Sequence, residues 1–195
     1  VDADYFDDAL MIGDSRTVGL KEYGTLGNAT FYCDSGLSIY DLENKKIMVD
    51  GIGKVSISDL LASHTYHKIY LMLGINELGY DVTQTFEKYA SFVNFLQTMQ
   101  PDAIIYVEAN LHVTAQRSDS DKTFNNANIN AFNQKIATLA DHRTIYYLDI
   151  NELFDDANGN LDTQYSNDNA HPLGKYYAVW CDWLMEHAVV RDMKS

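Results

Sequence analysis

Ser15 is the residue whose setting first suggests chemistry. It ends the run Ala9-Leu10-Met11-Ile12-Gly13-Asp14-Ser15, in which four apolar residues lead into Gly-Asp-Ser, and small and apolar residues then recur through Leu20 at helical spacing. The stretch reads as strand, tight turn, helix. A serine at that junction stands at the carboxyl edge of a sheet, where open α/β proteins place their ligands, and at a helix N-terminus, where unpaired N–H groups favour negative charge. Exposure and a place for an oxyanion are two needs of an acyl-transfer nucleophile. Asp-Ser is also a common helix cap, so the triplet alone says little; the apolar strand ahead of it is what a cap does not require.

The rest of the chain supplies alternating elements to position such a residue. Residues 29–33, 68–73, 103–107 and 144–148 read as further strands, the second of them apolar on both faces, and helical periodicity covers 15–24, 58–63, 83–100, 123–140 and 173–190. Residues 39–44 suggest a short helix, 45–56 a hairpin or surface excursion, 110–122 a polar loop, and 1–8 an acidic surface segment. No repeat or linker divides the chain. The expectation is a single domain over residues 1–195. Its architecture is α/β, a three-layer α/β/α sandwich of flavodoxin-like type. Right-handed crossovers place helices on both faces of a five-stranded, mostly parallel sheet.

Composition narrows the function. With 28 acidic and 14 basic residues in 195, the net charge is −14, so nucleic acid and anionic membrane surfaces are disfavoured as partners. No stretch approaches the roughly 18 apolar residues of a membrane span. Fourteen tyrosines against two tryptophans suit polar ring substrates. Cys33 and Cys181 are expected as two separate buried thiols. The chain opens on Val1 without a methionine, as a processed or trimmed form would.

Ser15, Gly36 and Asn76 follow the first three strands, and His171 precedes the last helix, which brings all four to one rim. In the order and spacing of these blocks the sequence resembles the SGNH hydrolases, the GDSL esterase and lipase family. The matching segments are Ile12-Gly13-Asp14-Ser15, Gly36, Gly74-Ile75-Asn76-Glu77 and Asp168-Asn169-Ala170-His171-Pro172. The resemblance implies a Ser15 nucleophile, His171 as its base, and Asp168 orienting the imidazole. It also implies an oxyanion hole of the Ser15 and Gly36 N–H groups and the Asn76 side-chain amide. No cofactor and no metal are implied. Two departures fall at the rim: Arg16 where leucine is usual, and Glu77 where aspartate is usual. Arg16 is expected to meet an anionic substrate group, to pair with Glu77, or to lie on the surface. Asn110 and His112, after the fourth strand, are candidates to line the pocket together with Arg16 and Glu77.

Other candidates are weaker. His64 and His67 have a metal-like spacing but no cysteine or carboxylate cluster beside them, so a solvated helix end is expected. Counting a calcium loop back from Gly159 puts Phe154 and Tyr165 where carboxylates belong, so that segment reads as a turn. The Gly-x-Ser-x-Gly elbow and any Gly-rich phosphate loop are absent. The expected function is a serine esterase acting on short-chain esters, acetyl above all, of a small molecule or carbohydrate. A rival uses the same site to transfer the acyl group to a sugar hydroxyl, and another keeps the fold as a binding module without turnover. A bacterial cell-surface or extracellular location is expected; the oligomeric state is left open.

Overall fold

The computed structural model describes residues 1–191. Its strands are β1 (Ala9–Gly13), β2 (Thr30–Cys33), β3 (Lys46–Val49), β4 (Gly53–Ser56), β5 (Lys68–Met72), β6 (Ile104–Glu108) and β7 (Ile145–Leu148). Five form one sheet in the order β2-β1-β5-β6-β7, every pair parallel. β3 and β4 make a separate antiparallel hairpin.

Parallel strands buried on both faces must be apolar at successive positions, and these are. Leu10, Ile12, Ile69, Leu71, Ile105 and Val107 point to one core. Their neighbours Ala9, Met11, Tyr70, Met72 and Tyr106 point to the other. The first core is closed by α2 (Ile57–Ser63), α3 (Val82–Met99) and α5 (Asn126–Ala137), through residues such as Leu60, Tyr89, Leu96, Phe132 and Ile136. The second is closed by α1 (Ser15–Tyr23), α6 (Asn151–Phe154) and α7 (Tyr176–Glu186), through Leu20, Phe154, Trp180 and Leu184. This is the three-layer arrangement the element pattern predicts.

Several local expectations are corrected. Residues 39–44 form consecutive turns and no helix. Residues 1–8 are not simply surface: Ala3–Phe6 winds into a 3₁₀ turn that buries Phe6 completely in the second core. α2 starts at Ile57, one residue ahead of the expected 58–63, because Ser56 caps it by accepting from the Asp59 N–H. Both cysteines are free, Cys181 buried and Cys33 half-buried.

The largest difference lies after β6. Residues 109–114 are buried, and the chain then forms α4 (Ala115–Ser120) where a polar loop is expected. A buried irregular segment must have its backbone groups satisfied, and three asparagine side chains do this. Asn133 Oδ1 accepts from the Asn110 N–H at 2.8 Å, Asn151 Oδ1 from the His112 N–H at 2.8 Å, and Asn126 Oδ1 from the Val113 N–H at 2.9 Å. The same amides donate back to the carbonyls of Asn110 and Val113.

Candidate active site

β1 lies between β2 and β5, so the loops leaving the carboxyl ends of these three strands meet. Gly13 makes the first turn tight: a Cβ there would fall 2.0 Å from Thr17 Oγ1 and 2.8 Å from the Met72 carbonyl. Only glycine lets β1 run directly into α1. Asp14 then caps the helix, accepting from the Arg16 N–H, and Ser15 becomes its first residue. Residues 34–38 follow β2. Asn76 sits in a 3₁₀ turn, Ile75–Glu77, that follows β5.

His171 comes from the segment ahead of α7 and meets Ser15 across 156 positions, with Ser15 Oγ 2.9 Å from Nε2. Asp168 Oδ2 lies 2.8 Å from Nδ1 on the other side of the ring. A carboxylate accepting from Nδ1–H leaves Nε2 free to accept from the serine hydroxyl. Asp168 is itself held: Oδ1 accepts from the N–H groups of Ala170 and His171 at 2.9 and 2.7 Å and from Ser166 Oγ at 3.0 Å. Burial raises its pKa, but those N–H groups and the imidazole outweigh it and bring it down to about 2. Asn169, between them, adopts a left-handed backbone with φ of 66° and is bonded to Thr114.

Of the three groups expected at an oxyanion hole, Ser15 and Asn76 line one cleft, and all three are differently engaged. The Ser15 N–H, in the first turn of α1, has no partner within the helix. The Gly36 N–H donates to Asp34 Oδ1 at 3.0 Å, and the same carboxylate meets Lys45 Nζ at 3.0 Å. The Asn76 amide donates to the carbonyls of Ser35 and Leu37 at 3.1 and 3.0 Å. In this structure both side donors bind the 34–38 loop. A Cβ on Gly36 would meet only Asp34 Oδ1, at 3.7 Å, so glycine here leaves room on the open side.

The four rim candidates lie deeper than expected. Arg16 is 2% exposed, neither on the surface nor paired with Glu77. Its Nε and Nη2 donate to Asp14 Oδ1 and Oδ2 at 2.8 and 2.6 Å, and Nη2 also reaches Asn110 Oδ1 at 2.8 Å. Asp14, two residues away, outcompetes Glu77 because it is already fixed as the helix cap. Glu77 is buried with neither carboxylate oxygen hydrogen-bonded. Burial first, and then the Asp14 charge, push its pKa up to about 8. Glu108, buried at the end of β6, is likewise raised by burial to about 8, against the pull of Arg16. Asn110 serves Arg16 and the buried segment. His112 is held between Asp155, whose oxygens lie 2.9 and 3.0 Å from Nδ1, and Asn130 Oδ1, 2.6 Å from Nε2. It ties α5 to the turn at 155–161 and does not face Ser15.

Two clefts flank the Ser15–His171 pair. One, of about 310 Å³, is lined by Val18, Glu22, Tyr23, Asn167 and Tyr177. The other, of about 300 Å³, is lined by Ile75, Asn76, Leu111, Val113, Arg117 and Phe124. Sequence reasoning misses Tyr23 and Arg117. Tyr23 is an exposed aromatic on the last turn of α1, a signal that could have been used; Arg117 lies on a helix the sequence does not announce.

A parallel three-layer fold with a serine, an imidazole and a carboxylate in line at the carboxyl edge defines a class of α/β protein. The chain belongs to the GDSL-like Lipase/Acylhydrolase family, whose sequence profile matches residues 11–179. No curated protein matches it in sequence. Among solved structures it is similar to a GDSL-like lipase from Bacteroides thetaiotaomicron, with a TM-score of 0.69, 15% identity, and 94% of this chain and 88% of that one covered. An acetyl xylan esterase aligns with a TM-score of 0.63 at 16% identity over 93% and 100% of the two chains. A variant of an acetyl-xylooligosaccharide esterase from Geobacillus aligns with a TM-score of 0.59 at 16% identity over 94% and 96%. At these identities the likeness establishes the fold.

Proposed function

We propose that this acylhydrolase is a serine esterase that removes short acyl groups, acetyl above all, from a carbohydrate. The observation that carries the reading is the unbroken line from Ser15 Oγ through the His171 ring to Asp168, with contacts of 2.9 and 2.8 Å. Ser15 Oγ attacks the ester carbonyl while its proton passes to Nε2, and Asp168 stabilises the imidazolium. The tetrahedral oxyanion takes the Ser15 N–H, joined by the Gly36 N–H and the Asn76 amide as these exchange their loop partners for it. As the intermediate collapses, His171 returns the proton to the leaving sugar hydroxyl. Water, deprotonated by the same ring, then releases the acid from the acyl-serine.

A sugar alcohol is supported by the aromatic rings of Tyr23 and Tyr177 and the polar groups of Glu22 and Asn167 in the cleft beside Ser15, and by the fold shared with two acetyl-carbohydrate esterases. The test is a panel of acetylated oligosaccharides, short-chain aryl esters and long-chain lipids given to the wild type and to Ser15→Ala. Ser15-dependent release of acetate from the sugars is expected. Preference for the lipids, or turnover that survives Ser15→Ala, overturns the reading.

A further inference from the structure

We propose that the cleft on the Phe124 side of Ser15 is a subsite for a carboxylate carried by the sugar ester, with Arg117 as the residue that reads it. The proposal rests on the esterase reading above and adds a substrate class to it. At about 300 Å³ this cleft is far larger than an acetyl methyl requires, so it must hold another part of the substrate. Ile75, Leu111, Val113 and Phe124 form its apolar walls and two arginines reach it; Asp168 also borders it, with its carboxylate already engaged by Ser166, two N–H groups and the His171 ring.

The two arginines differ in what they have left to give. Arg16 is committed to Asp14 and Asn110. Arg117 has only Nε beside a protein anion, 3.3 Å from Asp121 Oδ2 and without the alignment of a hydrogen bond. Its two Nη nitrogens make no hydrogen bond among the described residues. Asp121 is largely occupied elsewhere, since Oδ1 accepts from the N–H groups of Thr123 and Phe124 at 2.8 Å each. The Arg117 guanidinium is steadied 5.6 Å from the Phe124 ring centroid. The result is a planar fork beside an aromatic face, 40% exposed, on the wall of the cleft that contains Ser15.

Such a fork pairs with a planar carboxylate through two parallel hydrogen bonds, which a lysine cannot reproduce. One guanidinium between apolar walls matches one negative charge. A phosphate dianion would call for more donors than the walls supply. In a chain of net charge −14 an anionic substrate meets a repulsive field overall, so an open guanidinium in the cleft beside the nucleophile biases where that anion sits.

The experiment compares an O-acetylated methyl glucuronoside with its isosteric carboxamide, using the wild type, Arg117→Ala and Arg117→Lys, at low and high salt. The wild type is expected to favour the acid in kcat/KM by roughly tenfold or more, with the preference shrinking in high salt. Arg117→Ala should bring the acid-to-carboxamide ratio close to one through KM, and Arg117→Lys should restore only part of it. Equal rates on the two wild-type substrates overturn the proposal, as does a ratio that Arg117→Ala leaves intact. A stronger preference for an acetylated sugar phosphate overturns the carboxylate assignment. Calorimetry on Ser15→Ala separates the two readings. Tighter binding of the acid than of the carboxamide, in a protein whose wild type cleaves no acetyl ester, sinks the esterase and keeps the subsite. Cleavage without discrimination does the reverse.

Discussion

Thr114 and Asn169 are joined twice across 55 positions: the Thr114 N–H donates to the Asn169 carbonyl at 3.0 Å, and Thr114 Oγ1 donates to Asn169 Oδ1 at 3.0 Å. Asn169 is the left-handed residue two before His171, and Thr114 caps α4 through the Arg117 N–H. The pair fastens the histidine loop to the helix that carries Arg117. Thr114→Val keeps the shape but strands Asn169 Oδ1 and removes the cap. It should cost about 1–3 kcal/mol in urea unfolding and lower kcat several-fold by loosening His171. Unfolding and turnover both at wild-type values would show that the second bond does nothing.

The acyl-transfer line makes graded predictions. Ser15→Ala should remove hydrolysis while leaving the thermal midpoint close to wild type. Asp168→Asn should lower kcat by roughly 10²–10⁴, because an amide facing Nδ1 favours the tautomer with its hydrogen on Nε2, which cannot accept from Ser15. Asn76→Ala should cost roughly 10²–10³ in kcat. Steady-state kinetics on an acetyl ester checks all three, and a near-normal kcat in either of the last two removes that residue from the mechanism.

Stability should depend on pH with a definite sign. Glu77 and Glu108 ionise near 4.5 ordinarily and at about 8 in the fold, so the native state holds their protons across that window and the unfolded chain does not. Their contribution is therefore fully present below about pH 4.5 and is lost as pH rises through about 8. Asp168, held down to about 2, acts oppositely: its contribution is present above the ordinary value of 3.8 and disappears as pH falls through about 2. The thermal midpoint should fall by about 5 °C or more between pH 5 and 8, and the double variant Glu77→Gln, Glu108→Gln should flatten that slope. A slope unchanged in the double variant refutes the assignment.

The buried Asp14–Arg16 pair should behave as a unit. Arg16→Met leaves the Asp14 carboxylate without its cation at 0% exposure and should destabilise by roughly 3–5 kcal/mol. Adding Asp14→Asn should recover a large part of that loss. A double-mutant cycle by chemical denaturation gives the coupling, and additive losses would mean that the two side chains act separately.

What was legible in the sequence was whatever the local pattern dictates. Apolar runs ending in turns reveal β1, β5, β6 and β7, and the three-residue spacing from Asp168 to His171 suffices to put a carboxylate on the ring. Partner choice among buried polar groups was not legible. Arg16 and Glu77 carry charges that read as rim residues, yet both lie inside because a capping aspartate stands two positions from the arginine and Glu77 is enclosed. The segment 109–114 reads as loop because its backbone partners are asparagines on distant helices. Nothing local announces that Asn76 and Gly36 would also hold the loop that surrounds them.

Of the imidazoles that rest on a carboxylate, His112 and His171 each meet a second partner beyond the ring, and that partner separates their fates. His112 is wedged between the Asp155 carboxylate and the Asn130 amide oxygen, which favour a hydrogen on both nitrogens; burial opposes that charge, but Asp155 and Asn130 prevail and its pKa is raised. His171 faces a hydroxyl, which can give a hydrogen as readily as take one. Traffic in protons is open to the ring whose far neighbour is amphoteric, and the other is excluded by a single amide oxygen.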